Sequence, residues 1–163
     1  MDVIKQVCSL ELSKRLKELG YPQESLWYWG LENIDKTFSK YILMSEQWSN
    51  SRWKASHHKE SFGDYGDFEM LVKKFEDNLY SAPTSGELGM ALPYRLRLSD
   101  DDYWLQIFKE DDFWEIRYFA YKEGIPLRVG HKEFSFQADT EAEARGFMWE
   151  YLKKNGLIKE KNG

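Results

Sequence analysis

Apolar residues near both ends of the chain recur at the spacing of an α-helix. Near the N-terminus, Leu12, Leu16 and Leu19 fall on one stripe of a helix predicted from Ser9 to Leu19, with Ser9 as its cap. A second stripe near the C-terminus comprises Ala144, Phe147, Met148, Tyr151 and Leu152. Each stripe predicts a helix that packs one apolar face on the rest of the fold.

Two threonines are each followed, three residues later, by a glutamate, which is the spacing of a capping box. The pairs are Thr84 with Glu87 and Thr140 with Glu143. In this motif the threonine hydroxyl accepts the third backbone N–H of the helix, and the glutamate carboxylate accepts the N–H of the threonine. Helices are therefore predicted to begin after Thr84 and Thr140, and Gly156 is expected to end the second in a Schellman motif.

Between the N-terminal and C-terminal helices, several segments have the hydrophobic period of β-strands. Alternating or aromatic runs predict strands at 25–29, 41–44, 94–98, 103–108, 113–121 and 132–137. The connections between the later strands are short, which favours antiparallel pairing. The predicted fold class is α+β, with an antiparallel sheet of about four to six strands and the N- and C-terminal helices packed on it.

The length of 163 residues predicts a single domain over 1–163. The stretch 31–78, rich in Trp and Tyr, fits this pattern least well and is interpreted as an insertion. Because inserted loops often carry function, its aromatic residues Trp48, Trp53 and Tyr65 are predicted to anchor a binding partner.

Composition and charge narrow the class of protein. Charged residues make up 31% and hydrophobic residues 42%, values that exclude a disordered chain, and no apolar run has the length of a membrane span. The net charge of -5 argues against direct binding of duplex DNA. The N-terminus lacks the pattern of a signal peptide, and Cys8 is the only cysteine, so a cytoplasmic location is expected.

Short acidic segments join the later strands, at Ser99–Asp102 and Glu110–Asp112. These carboxylates are expected to lie in solvated turns and to keep ordinary pKa values. The alternative is an acidic ridge that imitates nucleic-acid phosphates for a basic partner protein. In an antiparallel meander the two turns fall at opposite ends of the sheet, which weakens that interpretation.

Motifs that carry chemistry are few. No glycine-rich phosphate loop occurs, and no catalytic residue and no cofactor is predicted. The residues His57, His58, Asp64 and Asp67 could chelate a metal on a folded loop, which keeps a small metal-dependent hydrolase as an alternative. Because these motifs are so few, the sequence favours a protein that is not an enzyme.

Arginines alternate with aromatic residues along the predicted sheet. Strand alternation places Arg95 and Arg97 on one face and Tyr94 on the other, with Leu96 and Leu98. Arg117 is a further candidate for the face of Arg95 and Arg97, as are the aromatic residues Trp104, Trp114 and Tyr118. Arginine and aromatic side chains on one sheet face can stack on and hydrogen-bond a nucleotide or a peptide. A half-buried sheet with a solvated polar face explains the same pattern.

Three segments together resemble a set of small proteins encoded by phages and prophages. They are VCSLELSKRLKELGYPQESLWYW at 7–29, YSAPTSGELGMALP at 80–93 and ADTEAEARGFMWEYLKKNGLI at 138–158. The resemblance covers about half of the chain, and the last motif is its most specific part. It implies a phage origin and a small α/β sandwich, and it brings no catalytic residues.

These observations leave three functional hypotheses. The favoured one is a non-enzymatic phage protein that binds and sequesters part of a host defence, either a defence protein such as a CRISPR-type effector or a nucleotide signal. A nucleotide ligand would use Arg95, Arg97 and Arg117, whereas a protein target would meet a flat aromatic and acidic surface. The alternatives are the hydrolase and a phage housekeeping or structural component.

Overall fold

The computed structural model describes residues 3–31, 41–45, 77–98, 101–122, 125–126 and 134–158. The chain divides into two compact units. We call Ser9–Pro83 the N-terminal unit, and Met1–Cys8 together with Thr84–Gly163 the C-terminal unit. The single domain over 1–163 stays a prediction, and most of the predicted insertion at 31–78 lies outside the described residues.

The N-terminal unit contains one helix and three strands among its described residues. These are α1 (Leu10–Glu18), β1 (Trp27–Leu31), β2 (Tyr41–Ser45) and β3 (Tyr80–Ser81). The strands form an antiparallel sheet in the order β2-β1-β3. Helix α1 packs beside β3, where Lys17 donates a hydrogen bond to the Leu79 carbonyl and its Nζ lies 4.8 Å from the centre of the Tyr80 ring.

Helix α1 follows the predicted pattern of caps and apolar stripe. The Ser9 hydroxyl accepts the N–H of Leu12, and both Leu12 and Leu16 are fully buried. At the other end the N–H of Tyr21 reaches the carbonyl of Leu16 at 2.8 Å, the long hydrogen bond of a Schellman motif. Both ends of this helix are therefore fixed by local sequence.

The C-terminal unit contains two α-helices and five strands among its described residues, besides a short 3-10 turn at Val3–Gln6. The elements are α2 (Ser85–Ala91), β4 (Arg95–Leu98), β5 (Asp101–Lys109), β6 (Trp114–Lys122), β7 (Ile125–Pro126), β8 (Phe134–Ala138) and α3 (Glu141–Lys154). The meander β4-β5-β6 is antiparallel, and the far edge of β6 pairs with β8 over 114–118 and with β7 over 121–122.

One face of this sheet packs against α3 and forms the core of the unit. The fully buried residues include Ile116 and Tyr118 on β6 and Met148 and Leu152 on α3. The Tyr151 ring of α3 lies 5.2 Å from that of Phe134 on β8, measured between ring centres. Buried aromatic and aliphatic area of this kind supplies most of the driving force for folding.

The predicted caps of α2 and α3 are present. At α2 the Thr84 hydroxyl accepts the N–H of Glu87, and the Glu87 carboxylate accepts the N–H of Thr84, which completes a capping box. At α3 the Thr140 hydroxyl accepts the N–H of Glu143. Gly156, with φ +67°, ends α3 in the Schellman motif, since the N–H of the next residue reaches back to the carbonyl of Leu152.

The α+β fold class is confirmed, with antiparallel strands that divide into two sheets. One detail of the prediction is wrong, because Asp101 and Asp102 begin strand β5 instead of forming a turn. Pairing across the strands explains this, since Asp102 lies opposite Arg97 and bonds Arg95. None of the helices in the described part of the chain has the length and apolar character needed to span a membrane.

Candidate functional site

The sheet face opposite α3 carries most of the polar and charged side chains of the meander. Residues directly opposite each other in an antiparallel pair share a face, so the register defines four rows across the strands. The rows are Arg97 and Asp102; Arg95, Trp104 and Phe119; Gln106, Arg117 and Ser135; and Phe108, Glu115 and Gln137. Successive rows lie about 7 Å apart along the strands. We call this surface the arginine face.

Arg95 is held between a carboxylate and an indole ring. Its Nε donates to Asp102 Oδ1 at 2.8 Å, a second guanidinium nitrogen donates to Oδ2, and Cζ lies 5.3 Å from the centre of the Trp104 ring. This bidentate pair lowers the pKa of Asp102 below its usual value, with a further contribution from the charge of Arg97. Asp102 therefore stays ionised and largely neutralises Arg95.

Arg117 lies between two phenylalanine rings in the third row. Its Cζ is 4.4 Å from the centre of the Phe108 ring and 5.4 Å from that of Phe119. Its Nε donates to Gln106 Oε1 at 3.1 Å, whereas its Nη1 is 3.9 Å from Glu115, beyond hydrogen-bond distance. The guanidinium is thus fixed in orientation, and its terminal nitrogens keep N–H groups that hydrogen-bond no described residue.

Arg97 is exposed at the end of the face near β4 and hydrogen-bonds no residue in the described part of the chain. Among the described residues of this face there are three arginines and two carboxylates, Asp102 and Glu115, which gives these residues a formal charge of one positive. This local excess contrasts with the net charge of -5 for the chain. The face is therefore a positively charged patch on an acidic protein.

The predicted binding residues of the sheet are partly brought together. Arg95, Arg97 and Arg117 share the arginine face with Trp104, whereas Trp114 and Tyr118 lie on the face that packs against α3. Both are separated from Arg117 by an odd number of positions along β6, and strand alternation places such residues on the other face. The prediction that these two aromatic residues share the binding face is therefore wrong.

Tyr94 was also misplaced, because it precedes β4 and its ring reaches the arginine face. It packs edge-on against Trp104, with 5.0 Å between ring centres, and it is 71% exposed. The strand alternation that predicted the opposite face does not apply outside the strand.

Sequence reasoning missed the three residues of the arginine face that contact Arg117, namely Gln106, Phe108 and Phe119. The signal was present for Phe119, which is two residues from Arg117 on one strand and so must share its face. Gln106 and Phe108 follow Trp104 at even spacing on β5 and so share its face, but their position beside Arg117 depends on the register between β5 and β6.

The other predicted candidates lie outside the described residues. They are the aromatic anchors Trp48, Trp53 and Tyr65, and the proposed metal ligands His57, His58, Asp64 and Asp67. Across the ranges that the structure describes, no three His, Cys, Asp or Glu side chains are grouped in a way that could hold a metal ion. Cys8 is buried, and its thiol donates to the Ala142 carbonyl at 3.4 Å.

Comparison with known proteins gives no further guidance on the site. No family model, no curated protein and no solved structure matches the chain.

Proposed function

We propose that this protein is a non-enzymatic binding protein whose ligand surface is the arginine face. The observation that carries the proposal is the state of Arg117, which is oriented by Gln106 and two phenylalanine rings, while its terminal nitrogens have N–H groups that hydrogen-bond no described residue. A guanidinium fixed in this way loses little conformational entropy when it binds an acceptor. Arg97 offers a second set of donors on the same face.

The aromatic residues of the face suit the same role. Trp104 and Phe119 are half-buried, Phe108 is 36% exposed and Tyr94 is more exposed still. Large rings next to arginines are the side chains that most often dominate the binding energy of an interface. A merely solvated sheet face does not require this many aromatic side chains.

We further propose that the biological role is sequestration of a component of a host defence, inside a bacterial host cell. The support for this role is the resemblance of three segments to phage and prophage proteins, together with the small size of the chain. The partner would be a defence protein or a nucleotide signal. Duplex DNA is not the expected partner, because the chain as a whole is acidic.

Native mass spectrometry of tagged protein, expressed in a phage host and purified gently, tests this proposal. We expect a bound mass that is absent from the variant carrying Arg97→Glu and Arg117→Glu. The matched control is Lys109→Glu, since Lys109 is exposed on the opposite face of the same sheet. The released ligand should be recovered chemically intact, as binding without turnover requires.

Three results would count against the proposal. The bound mass would persist in the double arginine variant if another surface held the partner. A ligand that is converted during incubation with the purified protein would indicate an enzyme. A mass of twice the chain, lost in the same variant, would assign the face to a second copy of the protein.

A further inference from the structure

We infer that the occupant of the arginine face is a single-stranded oligonucleotide, with a base stacked on the Trp104–Phe119 row and phosphates held by Arg97 and Arg117. This inference rests on the proposed function, because it names the ligand of the same face. It is drawn from the order of the rows and from their charges.

The rows alternate in chemistry along the strands. Arg97 occupies the first row, Trp104 and Phe119 the second, and Arg117 the third. An aromatic row thus lies between two rows that carry arginine, with row spacings of about 7 Å along the strands, and Cζ of Arg117 is 5.4 Å from the centre of the Phe119 ring. A nucleic-acid strand has the same alternation, since each planar base is flanked by the phosphates of its own and the next nucleotide.

The charges of the face complement a phosphate backbone. Arg95 is already paired with Asp102, so it serves as a stacked neighbour of Trp104 more than as a phosphate ligand. Arg97 and the terminal nitrogens of Arg117 hydrogen-bond no described carboxylate and are the donors left for phosphate oxygens. Glu115, which accepts the Ser135 hydroxyl at 2.7 Å, lies in the fourth row. Its negative charge repels phosphate groups, so the phosphate-binding part of the face ends at the third row.

The same geometry selects a single strand over a duplex. Stacking on Trp104 or Phe119 requires an unpaired base with a free π-face, which a duplex does not offer along its length. Two phosphate contacts give too little electrostatic attraction to hold a duplex on a chain of charge -5. An acidic peptide satisfies the arginines but gains nothing from the aromatic row.

Fluorescence anisotropy of a labelled, mixed-sequence oligonucleotide of about eight nucleotides tests the inference. DNA and RNA probes of one sequence, the duplex of that sequence, and a polyglutamate peptide of equal charge are each titrated at several KCl concentrations. We expect one of the single strands to bind more tightly than the duplex and the peptide. Trp104→Ala should weaken that binding about tenfold or more.

The arginines have a separate readout. Arg97→Ala should lower the dependence of log affinity on log salt by about 0.7, the value for loss of one phosphate contact to a single strand. Arg117→Lys keeps the charge but loses the planar stack between the phenylalanines, so it should weaken binding and leave the salt dependence nearly unchanged. Lys109→Ala, on the other face, should change neither quantity.

Several outcomes would overturn the inference. They are failure of both single strands to bind at low salt, equal binding of the peptide, equal binding of the duplex, and no effect of Trp104→Ala. Failure of this inference can be distinguished from failure of the proposed function. If native mass spectrometry finds a ligand that the double arginine variant loses, while no oligonucleotide binds, the face is a binding site and only its assigned occupant is wrong.

Discussion

Tyr118 is the largest fully buried side chain of the C-terminal unit, and it illustrates what one residue contributes to this fold. It lies on the face of β6 that packs against α3, and its hydroxyl donates to the carbonyl of Pro93, just before β4. Burial raises the pKa of Tyr118 above its usual range. The folded state therefore strongly favours the neutral phenol.

The raised pKa of Tyr118 predicts a loss of stability at high pH. Its contribution to stability is fully present below the unfolded pKa of about 10 and is lost as the pH rises from there towards the folded pKa. We expect Tyr118→Phe to reduce this alkaline slope in urea unfolding. At neutral pH it should cost about 1 kcal/mol, the usual net value of one hydrogen bond. The control is Tyr94→Phe, an exposed tyrosine; an equal slope in both variants would contradict the account.

Asp102 supplies a second prediction at this scale. The bond from Arg95 lowers the pKa of this carboxyl, so the ion pair is present above the ordinary aspartate value of about 3.9 and is lost as the pH falls below it. In an NMR titration, Arg95→Ala should move the pKa of Asp102 back up towards that value. A titration unchanged by Arg95→Ala would show that the pair does not hold in solution.

At the scale of elements, helices α2 and α3 approach closely at Gly89. A Cβ at this position would lie 2.6 Å from Nη1 of Arg145, whose Nε donates to Glu141 at 2.7 Å. The small size of Gly89 on α2 therefore makes room for the ion pair between Arg145 and Glu141 on α3.

This contact predicts coupling between the two positions in a double-mutant cycle. Gly89→Ala alone should change the stability by less than about 0.5 kcal/mol, because moving the flexible guanidinium of Arg145 away from Glu141 offsets the higher helix propensity of alanine. In the Arg145→Ala background the same substitution should stabilise by about 0.5–1 kcal/mol, since the space is then free. Thermal unfolding of the four proteins measures both effects. The same effect in both backgrounds would rule out the contact.

The elements that sequence predicted well are those with local signals. Ser9, Thr84 and Thr140 cap helices by contacts within one turn, and the alternation at 95–98 depends only on strand geometry. Prediction failed where a distant partner decided the outcome. Asp102 looks like a turn residue until Arg95 and Arg97 lie across from it, and Phe108 joins Arg117 only through the register of β5 with β6.

For the whole molecule, the distribution of charge matters more than its total. The chain is acidic, yet the arginine face has a positive balance and places Arg117 between aromatic rings. This contrast predicts selective binding, because the acidic remainder repels nucleic acid and acidic proteins that do not fit the face. Composition alone indicated only the repulsion, and the register of the strands was needed to find the patch.

Reversal of charge at Arg97 should therefore affect binding much more than folding. The side chain is exposed and hydrogen-bonds no described residue, so Arg97→Glu, which faces the carboxylate of Asp102, is expected to lower the free energy of unfolding by less than about 1 kcal/mol. The same variant should bind its partner much more weakly. Chemical denaturation and a binding titration on one preparation check both parts; a large loss of stability would mean that Arg97 has a structural role.

Arginine footprinting tests the central claim most directly. Protein carrying its partner, and the same protein after the partner is stripped, are treated with a dicarbonyl reagent and analysed by mass spectrometry. Modification of Arg97 and Arg117 should be slower in the presence of the partner, with Arg15 on α1 as the internal reference. If Arg97 and Arg117 react at the same rate with and without the partner, the arginine face is not the binding surface.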